Sequence, residues 1–210
     1  MIIAIDGTLA SGKGTIARRL SALFGWPHMD TGRLYRAVAV ASLRQGIDLD
    51  DPEAVAHIPG LLDLDDFDED SLRSGEAAQA ASIVAAIPQV RAALLDLQRA
   101  FARHNKGAIL DGRDIGTVVL PEADIKLWID ARIDVRAKRR WQELQAMGDT
   151  LTLTDMITEL EARDARDSQR STAPMKRAAN AVLIDTTDLT IDAAVDKARI
   201  IIEEAQARQN

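Results

Sequence analysis

The sequence predicts an α/β fold in which a parallel sheet is covered on both faces by helices. Short aliphatic runs alternate with longer segments of helical periodicity, and a glycine-rich segment joins the first aliphatic run to the first helical segment. Buried parallel strands are near-continuous apolar runs, and the helices that connect them cover the sheet. Ligands of such folds bind at the carboxyl ends of the strands. Polar residues that directly follow a predicted strand are therefore the candidate functional residues.

The N-terminal half contains two predicted strands and five predicted helices. An unbroken aliphatic run defines the first strand, and His28–Asp30 is interpreted as the short end of a second. Apolar residues three or four positions apart define the helices. Thr31 suits a helix N-cap and Pro88 suits a first helical turn. Residues 63–75 are acidic and give weak signals of order, so we expect an exposed connection there. In chain order, the predicted elements are Ile2–Ile5 (strand), Thr15–Phe24, His28–Asp30 (strand), Thr31–Leu43, Pro52–Leu62, Gly75–Ala86 and a helix that begins at Pro88.

The C-terminal half contains three predicted strands and three predicted helices. Gly148 ends the first of these helices, and Pro174 lies beyond the end of the second. In chain order, the elements are Ala108–Asp111 (strand), Ile125–Asp130 (strand), Arg132–Met147, Leu153–Arg170, Ala181–Asp185 (strand) and Ile191–Ala207. Apolar stripes at helical spacing are expected to be buried. They comprise Ile16, Leu20 and Leu23 in the first helix, Val90, Leu94, Leu97 and Phe101 after Pro88, and Ile191, Val195, Ala198 and Ile202 in the last helix.

Composition narrows the class of protein. The chain has 210 residues, 47% hydrophobic and only 3% aromatic, which suits one large domain with an aliphatic core. It has no cysteine, which excludes disulfides and thiolate metal sites and favours a reducing cytoplasm. The net charge of −7 disfavours binding to a nucleic acid polymer. We expect no membrane association, because no apolar run approaches the roughly 18 residues of a membrane span.

A glycine-rich loop between the first strand and the first helix is the clearest local signal. A strand that turns tightly into a helix N-terminus directs backbone N–H groups and the positive end of the helix dipole at one point, which suits a polyphosphate. Lys13 adds a mobile positive charge for the β- and γ-phosphates, and Thr15 places a hydroxyl near a magnesium ion. The predicted ATP-binding loop comprises Gly7, Thr8, Leu9, Ala10, Ser11, Gly12, Lys13, Gly14 and Thr15.

Further charged clusters are expected at the same edge of the sheet. Two follow predicted strands, at Asp30–Arg36 and Asp111–Asp114. Their first residues, Asp30 and Asp111, are candidates for holding a metal through water, with structural capping as the alternative. Another cluster lies on one helical face and comprises Arg163, Asp167 and Arg170, with Arg166 beside them. For that cluster, the alternative is that its charges form salt bridges on an exposed helix. The same alternative has more weight for a second group of arginines that share one side of a helix, namely Arg132, Arg136, Arg139 and Arg140.

Five motifs, taken together and in order, resemble those of bacterial cytidylate kinases. They are G-x-x-x-S-G-K-G-T, D-T-G-x-x-Y-R, A-A-S-x-V-A-x-x-P-x-V-R, D-G-R-D-x-G-T-V-V-x-P and R-D-x-R-D-x-x-R. The resemblance implies a P-loop nucleoside monophosphate kinase fold with a parallel-sheet core, an insert that binds the monophosphate and a lid. In this single kinase domain, the core would cover about 1–36, 105–147 and 175–210, the insert about 37–104 and the lid about 148–174.

The resemblance also implies an activity and a set of site residues. The activity is ATP-dependent phosphorylation of CMP and dCMP to the diphosphates, with magnesium, by a monomer that acts on small-molecule nucleotides. Ser82, Arg91 and Asp114 would read the cytosine, and Asp167 would contact a ribose hydroxyl. The implied CMP-binding residues are Thr31, Arg36, Ser82, Arg91, Arg113, Asp114, Arg163, Asp167 and Arg170. The implied catalytic residues are Lys13, Arg113, Arg163, Arg166 and Arg170.

This chain departs from the family pattern in two places, and other functions stay open. Thr31 stands where many members have serine, and many members carry a small sheet near residues 63–75 for which this chain has no room. Phosphoryl transfer needs two anionic substrates in line and neutralised charge, which arginines supply. The alternatives are another small-molecule kinase, for UMP, AMP or shikimate, and a P-loop nucleotide-sensing switch.

Overall fold

A five-stranded parallel sheet lies at the centre of the molecule, as the sequence predicts. The structure is a computed structural model that describes residues 1–209. The strands are β1 (Ile2–Gly7), β2 (His28–Asp30), β3 (Ala108–Gly112), β4 (Ile125–Asp130) and β5 (Val182–Asp185). They lie in the order β2-β3-β1-β4-β5, and each neighbouring pair is parallel. The carboxyl ends of all five strands therefore meet at one edge of the sheet.

Helices cover both faces of this sheet. Within residues 1–209 they are α1 (Lys13–Phe24), α2 (Thr31–Arg44), α3 (Pro52–Ala56), α4 (Glu69–Arg73), α5 (Gly75–Val84), α6 (Pro88–Arg103), α7 (Ile133–Ala146), α8 (Leu153–Gln169) and α9 (Ile191–Gln209). Ile3 and Ile5 of β1 pack against α1 and α9, whereas Ala4 packs on the opposite face against α6. No single helix in this range is long and apolar enough to cross a membrane, although α5 and α6, which meet at 99°, pass that test when taken together.

The chain between β2 and β3 has a hydrophobic core of its own. Helices α2, α3, α5 and α6 enclose a cluster that is separate from the clusters on the sheet. Its most buried members larger than alanine are Leu34, Val38, Val55, Ile58, Val84, Val90 and Leu94. This packing fixes α2 and α5 relative to one another, so that residues on both helices reach the same side of the sheet edge.

The acidic segment 63–75 is more ordered than the sequence predicts. A 3₁₀ turn covers Leu64–Asp66, and α4 follows, with the Asp68 carboxylate accepting the Ser71 N–H at 2.7 Å. Phe67 and Leu72 are buried against α2. Aspartates that accept backbone N–H groups order a chain locally. Such aspartates produce no apolar periodicity, so the sequence gives only a weak signal for the order of this segment.

Other details of the prediction are wrong. The helix predicted over Pro52–Leu62 ends at Ala56, because Pro59 has no N–H to donate and a 3₁₀ turn takes over. Leu23, Leu97 and Ile191 are exposed instead of buried. On α6 the buried position next to Leu97 is taken by Gln98, whose amide donates to the Leu94 carbonyl at 3.0 Å.

Candidate active site at the carboxyl edge of the sheet

A cleft of about 610 Å³ opens at the carboxyl edge of the sheet. Its walls come from the N-terminus of α1, from α2 and α5, from the segment after β3 and from α8. It contains most of the residues that the motifs predict for the site. Those that line it are Leu9, Lys13, Gly14, Thr31, Arg36, Ser82, Arg91, Arg113, Asp114, Arg163, Asp167 and Arg170.

The glycine-rich loop turns from β1 into α1 at one end of this cleft. Gly7 approaches β4 so closely that a Cβ atom there would overlap the carbonyl oxygen of Ile129. Gly12, with φ of 94°, adopts the left-handed conformation directly before α1 begins at Lys13. Glycine accepts both conditions at least cost, since it has no Cβ. The Thr15 N–H donates back to the Gly12 carbonyl at 3.1 Å, whereas the N–H groups of Lys13 and Gly14 have no backbone acceptor among the described residues and are available to an anion.

Hydrogen bonds within the loop and to neighbouring elements hold this loop in place. The Thr8 hydroxyl donates to Asp130 Oδ1 at 2.7 Å, and the Ser11 hydroxyl donates to the Thr8 carbonyl at 2.9 Å. Thr186, after β5, donates to the Ser11 carbonyl at 2.8 Å. Arg136 on α7 donates to the Leu9 carbonyl at 3.3 Å. These hydrogen bonds engage the carbonyls of Thr8, Leu9 and Ser11 and the hydroxyls of Thr8 and Ser11, and they stabilise one conformation of the loop.

The Lys13 ammonium lies near both positively and negatively charged side chains. Burial lowers the pKa of its ammonium from 10.5 to about 7, and the nearby Arg113 guanidinium acts in the same direction. Asp111 and Asp30 oppose this fall. An anionic ligand in the cleft adds negative charge beside Lys13 and thereby favours its charged form.

The ends of β2 and β3 bring two carboxylates together. Asp30 and Asp111 are paired in the parallel register. The Asp111 carboxylate contacts His28 Nε2 at 2.7 Å, and the Thr31 hydroxyl donates to the Asp111 carbonyl at 2.8 Å. Burial opposes ionisation of Asp30, but the Arg36 guanidinium, which donates to it at 2.8 Å, holds the pKa of Asp30 below its usual range.

The segment after β3 carries a second group of charges into the cleft. Burial raises the pKa of Asp114, although Arg91 of α6 and Arg170 at the end of α8 both pair with its carboxylate. Arg113 Nε donates to Asp167 of α8 at 3.2 Å. Arg91 also donates to the Ala85 carbonyl at 3.3 Å. Guanidinium groups thus outnumber the two carboxylates that they pair with in this part of the cleft.

Helices α5 and α8 face each other across the mouth of the cleft. The Ser82 hydroxyl donates to Asp167 Oδ1 at 3.0 Å, and Asp167 lies 3.9 Å from Arg163 Nε. Burial of the Asp167 carboxylate raises its pKa, but Arg113 and Arg163 outweigh this and keep the pKa below the usual value. Burial lowers the pKa of Arg163 to about 9, so this guanidinium stays charged at neutral pH.

Three guanidinium N–H groups in this cleft form no hydrogen bond within the described residues. They are the buried Nε atoms of Arg33, Arg36 and Arg163. Buried donors without acceptors cost about 1–3 kcal/mol each. An anion between these side chains would supply the missing acceptors, and phosphate oxygens match the forked donors of arginine.

A second, smaller cavity adjoins the other side of the glycine-rich loop. Its volume is about 130 Å³, and its walls combine Ser11 and Gly12 of the loop with Arg139 of α7. Its apolar walls are Ile16, Leu189, Ile191 and Ala194. Arg139 is fixed there by donating to the Thr186 carbonyl at 2.7 Å. An apolar slot continuous with a phosphate loop can accept the flat base of a nucleotide whose phosphates the loop holds.

Not every predicted residue faces the main cleft. Arg166 lies at an adjacent cavity between α5 and α8, with its Nε 3.5 Å from the Ser82 hydroxyl. The Thr15 hydroxyl lies at the N-terminus of α1 and accepts Arg18 Nη2 at 3.3 Å. No group of three or more His, Cys, Asp or Glu side chains in residues 1–209 is arranged to hold a metal. A metal at Thr15 would therefore need ligands from a bound nucleotide.

The structure adds residues that the motifs did not indicate. The acidic segment, expected to be an exposed connection, lines the cleft with Leu64, Glu69, Leu72 and Arg73. Glu69 pairs with Arg33 at 3.1 Å, which draws the segment to the cleft. Arg136, Arg139 and Thr186 support the loop, so two members of the basic side of α7 have partners near the site. Among these residues, Thr186 directly follows a predicted strand, and that position was the available signal.

Comparison with known proteins agrees with the geometry. The sequence model of one family, described as cytidylate kinase, matches residues 3–205. The cytidylate kinase of Methylocella silvestris is 54% identical over 205 residues, which cover 98% of this chain and 95% of that protein. The cytidylate kinase of Caulobacter vibrioides is 51% identical over 207 residues, covering 99% and 97% of the two chains.

Solved structures with low sequence identity support the fold. A shikimate kinase from Bacteroides thetaiotaomicron superposes with a TM-score of 0.53 at 11% identity, covering 97% of this chain and 98% of that one. An uncharacterised protein from Eubacterium ventriosum gives a TM-score of 0.56 at 15% identity over the same shares of the two chains. The predicted P-loop kinase fold is thus confirmed. On the family match and the extent of sequence identity, the chain belongs to the cytidylate kinase family.

Proposed function

We propose that this protein transfers the γ-phosphoryl group of ATP to CMP and dCMP in a direct in-line reaction. The observation that carries this proposal is one continuous cleft that joins a phosphate-binding loop to a second set of arginines. Two of those arginines, Arg36 and Arg163, have buried N–H groups without acceptors. A kinase for a phosphorylated acceptor needs both sets, because it must hold two anions that would otherwise repel each other.

The chain's own residues supply positioning and charge. The loop Gly7–Thr15 would hold the ATP phosphates, and the slot beside Arg139 would take the adenine. Lys13 would neutralise charge on the transferred phosphoryl oxygens, together with Arg113, Arg163 and Arg170. Arg166 would join them from its adjacent cavity when the lid closes. No covalent intermediate with the protein is required.

Magnesium fits the oxygen groups at this end of the cleft. Magnesium prefers oxygen ligands, keeps several waters and usually binds through substrate phosphates. The Thr15 hydroxyl would be a direct ligand, and Asp30 and Asp111 would hold water ligands. Asp111 Oδ2 lies close to Gly14, 3.8 Å from where a Cβ would stand. When bound, the ion neutralises charge that develops on the phosphate oxygens.

The acceptor nucleotide would occupy the arginine-rich side. Arg36, Arg113, Arg163 and Arg170 surround the region where its phosphate and sugar would lie, with Thr31 at the edge. Asp114 would accept the cytosine amine, with Ser82 and Arg91 beside it. Uracil presents a carbonyl in place of that amine and would face the Asp114 carboxylate without a donor. Asp167 would accept a ribose hydroxyl.

We further propose that the chain is divided into core, insert and lid as the sequence predicts. The core, with the sheet, would comprise residues of about 1–36, 105–147 and 175–210. Residues 37–104 would form the insert that binds the acceptor, and residues 148–174 would form the lid. The separate hydrophobic cluster between β2 and β3 supports the insert as a unit. A cytoplasmic location and a monomeric state stay predictions.

A coupled assay that measures ADP formation tests this function. The purified protein is given ATP and magnesium with CMP, dCMP, UMP, AMP or shikimate in turn. We expect CMP to exceed UMP by at least ~10-fold in kcat/KM. Preference for UMP, AMP or shikimate would assign the acceptor to another kinase class. ATP hydrolysis that no acceptor stimulates would favour a nucleotide-sensing switch.

A further inference from the structure

Asp6 is a buried carboxylate that the proposed reaction does not use. It lies at the carboxyl end of β1, directly before the phosphate loop, and is only 4% exposed. Its Oδ1 accepts the Ile115 N–H at 2.7 Å, and its Oδ2 accepts the Gly116 N–H at 2.8 Å. Burial raises the pKa of Asp6 to about 6, and the two N–H groups limit that rise. The carboxylate is therefore ionised at neutral pH, with both oxygens bound to one short turn.

That turn, Ile115–Val119, is held at its other end as well. It is a single helical turn of five residues. Arg99 of α6 donates to the Val119 carbonyl at 3.0 Å and to the Val118 carbonyl at 3.1 Å. A carboxylate on the N–H end and a guanidinium on the carbonyl end both match the dipole of the turn. The turn is thus clamped between β1 and α6.

The fit around Asp6 is close. A Cβ atom on Gly116 would lie 3.1 Å from Lys126 Cδ and 3.4 Å from Asp6 Oδ2. The turn therefore has little room to move toward β1 or along it. A change in the hydrogen bonds of Asp6 must be taken up by displacement of the turn itself, and of the residues joined to its start.

The residues joined to its start are Arg113 and Asp114, which face the cleft. We propose that Asp6 is a positioning residue for acceptor recognition: it fixes the turn Ile115–Val119 and thereby sets where Arg113 and Asp114 meet the acceptor nucleotide. This inference rests on the proposed CMP kinase function. It assigns to the end of β1 a second task, besides leading into the ATP loop.

The test compares Asp6→Asn with a matched control. Asparagine keeps the shape but turns one acceptor into an NH₂ group that faces a backbone N–H. The control is Asp124→Asn, because Asp124 Oδ2 also accepts a backbone N–H of β1, that of Ile2 at 2.6 Å, but at the far end of the strand. We expect Asp6→Asn to raise KM for CMP by at least ~10-fold and to narrow the CMP/UMP ratio, with KM for ATP changed less than ~2-fold. The control should change neither constant by more than ~2-fold.

A second variant covers the case in which Asp6→Asn does not fold. Arg99→Met releases the carbonyl end of the same turn from a partly exposed position and should also raise KM for CMP more than KM for ATP. Equal rises in both KM values, or an unchanged KM for CMP in the folded variants, would overturn the inference. If the wild type itself does not prefer CMP to UMP, the proposed function fails, and that failure is visible before any variant is made.

Discussion

Arg113 and Asp167 form an ion pair across the cleft, with Arg113 Nε donating to Asp167 Oδ2 at 3.2 Å. The two residues are 54 positions apart and belong to the segment after β3 and to α8. Arg91 with Asp114 and Arg36 with Asp30 are further ion pairs in the cleft. Under the proposed function, substrate phosphate and hydroxyl groups would have to compete with these carboxylates for the guanidinium groups.

The Lys13 charge should be required for turnover. Lys13→Ala is expected to lower kcat by at least ~100-fold, a barrier change of roughly 3 kcal/mol, because negative charge builds on the transferred oxygens. Lys138→Ala, an exposed lysine of α7, is the control and should leave kcat unchanged. Steady-state kinetics measures both, and a Lys13→Ala variant with near-normal kcat would contradict this role.

The same residue should make stability depend on pH. The folded pKa of Lys13 is about 7 and its ordinary value is 10.5, so between these values the unfolded chain binds more protons. Stability then rises with pH in this window, by at most about 5 kcal/mol, and the cost of the charge is complete below pH 7. The Tm of Lys13→Ala relative to wild type should be higher at pH 6.5 than at pH 10. A Tm difference that does not change with pH would contradict the buried charge.

Asp114 should govern the choice of base. Asp114→Asn is expected to reduce the CMP/UMP ratio of kcat/KM by at least ~3-fold, because the amide can also donate to the uracil carbonyl. Loss of the ion pairs to Arg91 and Arg170 will lower activity toward both nucleotides, so the ratio is the measurement that counts. Asp96→Asn, at an exposed position of α6, is the control. An unchanged ratio would place base recognition elsewhere.

Asp167 should distinguish ribose from deoxyribose. Asp167→Ala removes the partner of Arg113 and Ser82, so activity toward CMP and dCMP should fall together. If the carboxylate also accepts the 2′-hydroxyl, kcat/KM for CMP should fall at least ~3-fold further than for dCMP. Parallel assays on the two substrates measure the difference. Equal losses would leave Asp167 as an organiser of arginines alone.

The acidic segment should contribute packing more than charge. Replacement of Asp65, Asp66, Asp68 and Asp70 by asparagine should change kcat by less than ~3-fold, because these side chains are exposed and screened. Leu72→Ala should instead lower the free energy of unfolding by about 2–5 kcal/mol, since Leu72 is 1% exposed. Denaturant titration and the coupled assay separate the effects. A large kcat change in the aspartate variant would mean that their charges act on the cleft.

The sequence predicted the sheet and the central residues of the cleft because both leave local patterns. Four of the five strands appear as largely apolar runs, and the motifs place Lys13, Arg36 and Arg113 shortly after strand ends. The order of strands in the sheet has no local pattern, since it depends on how the helices cross. The same holds for Glu69, whose place in the cleft depends on an ion pair with Arg33 of another helix.

Errors in the details have a shared physical cause. Leu23 and Leu97 lie on the apolar side of their helices by spacing, but no element of the described residues 1–209 covers them. Periodicity reports which residues share a face, not how wide the covering element is. Asp6 was overlooked for the complementary reason, because a single polar residue inside an apolar run gives no periodic signal.

The separate hydrophobic cluster between β2 and β3 has a consequence for how such chains change length. Insertions or deletions at residues 63–75 alter one wall of the cleft, in a unit that is stabilised by α2, α3, α5 and α6. Among the described residues, the hydrophobic cluster that β1 forms with α1 and α9 contains no residue of that segment. In this chain, the segment packs on the insert through the buried side chains of Phe67 and Leu72. Evolution can thus trim or extend this region between relatives while the phosphate loop keeps its geometry.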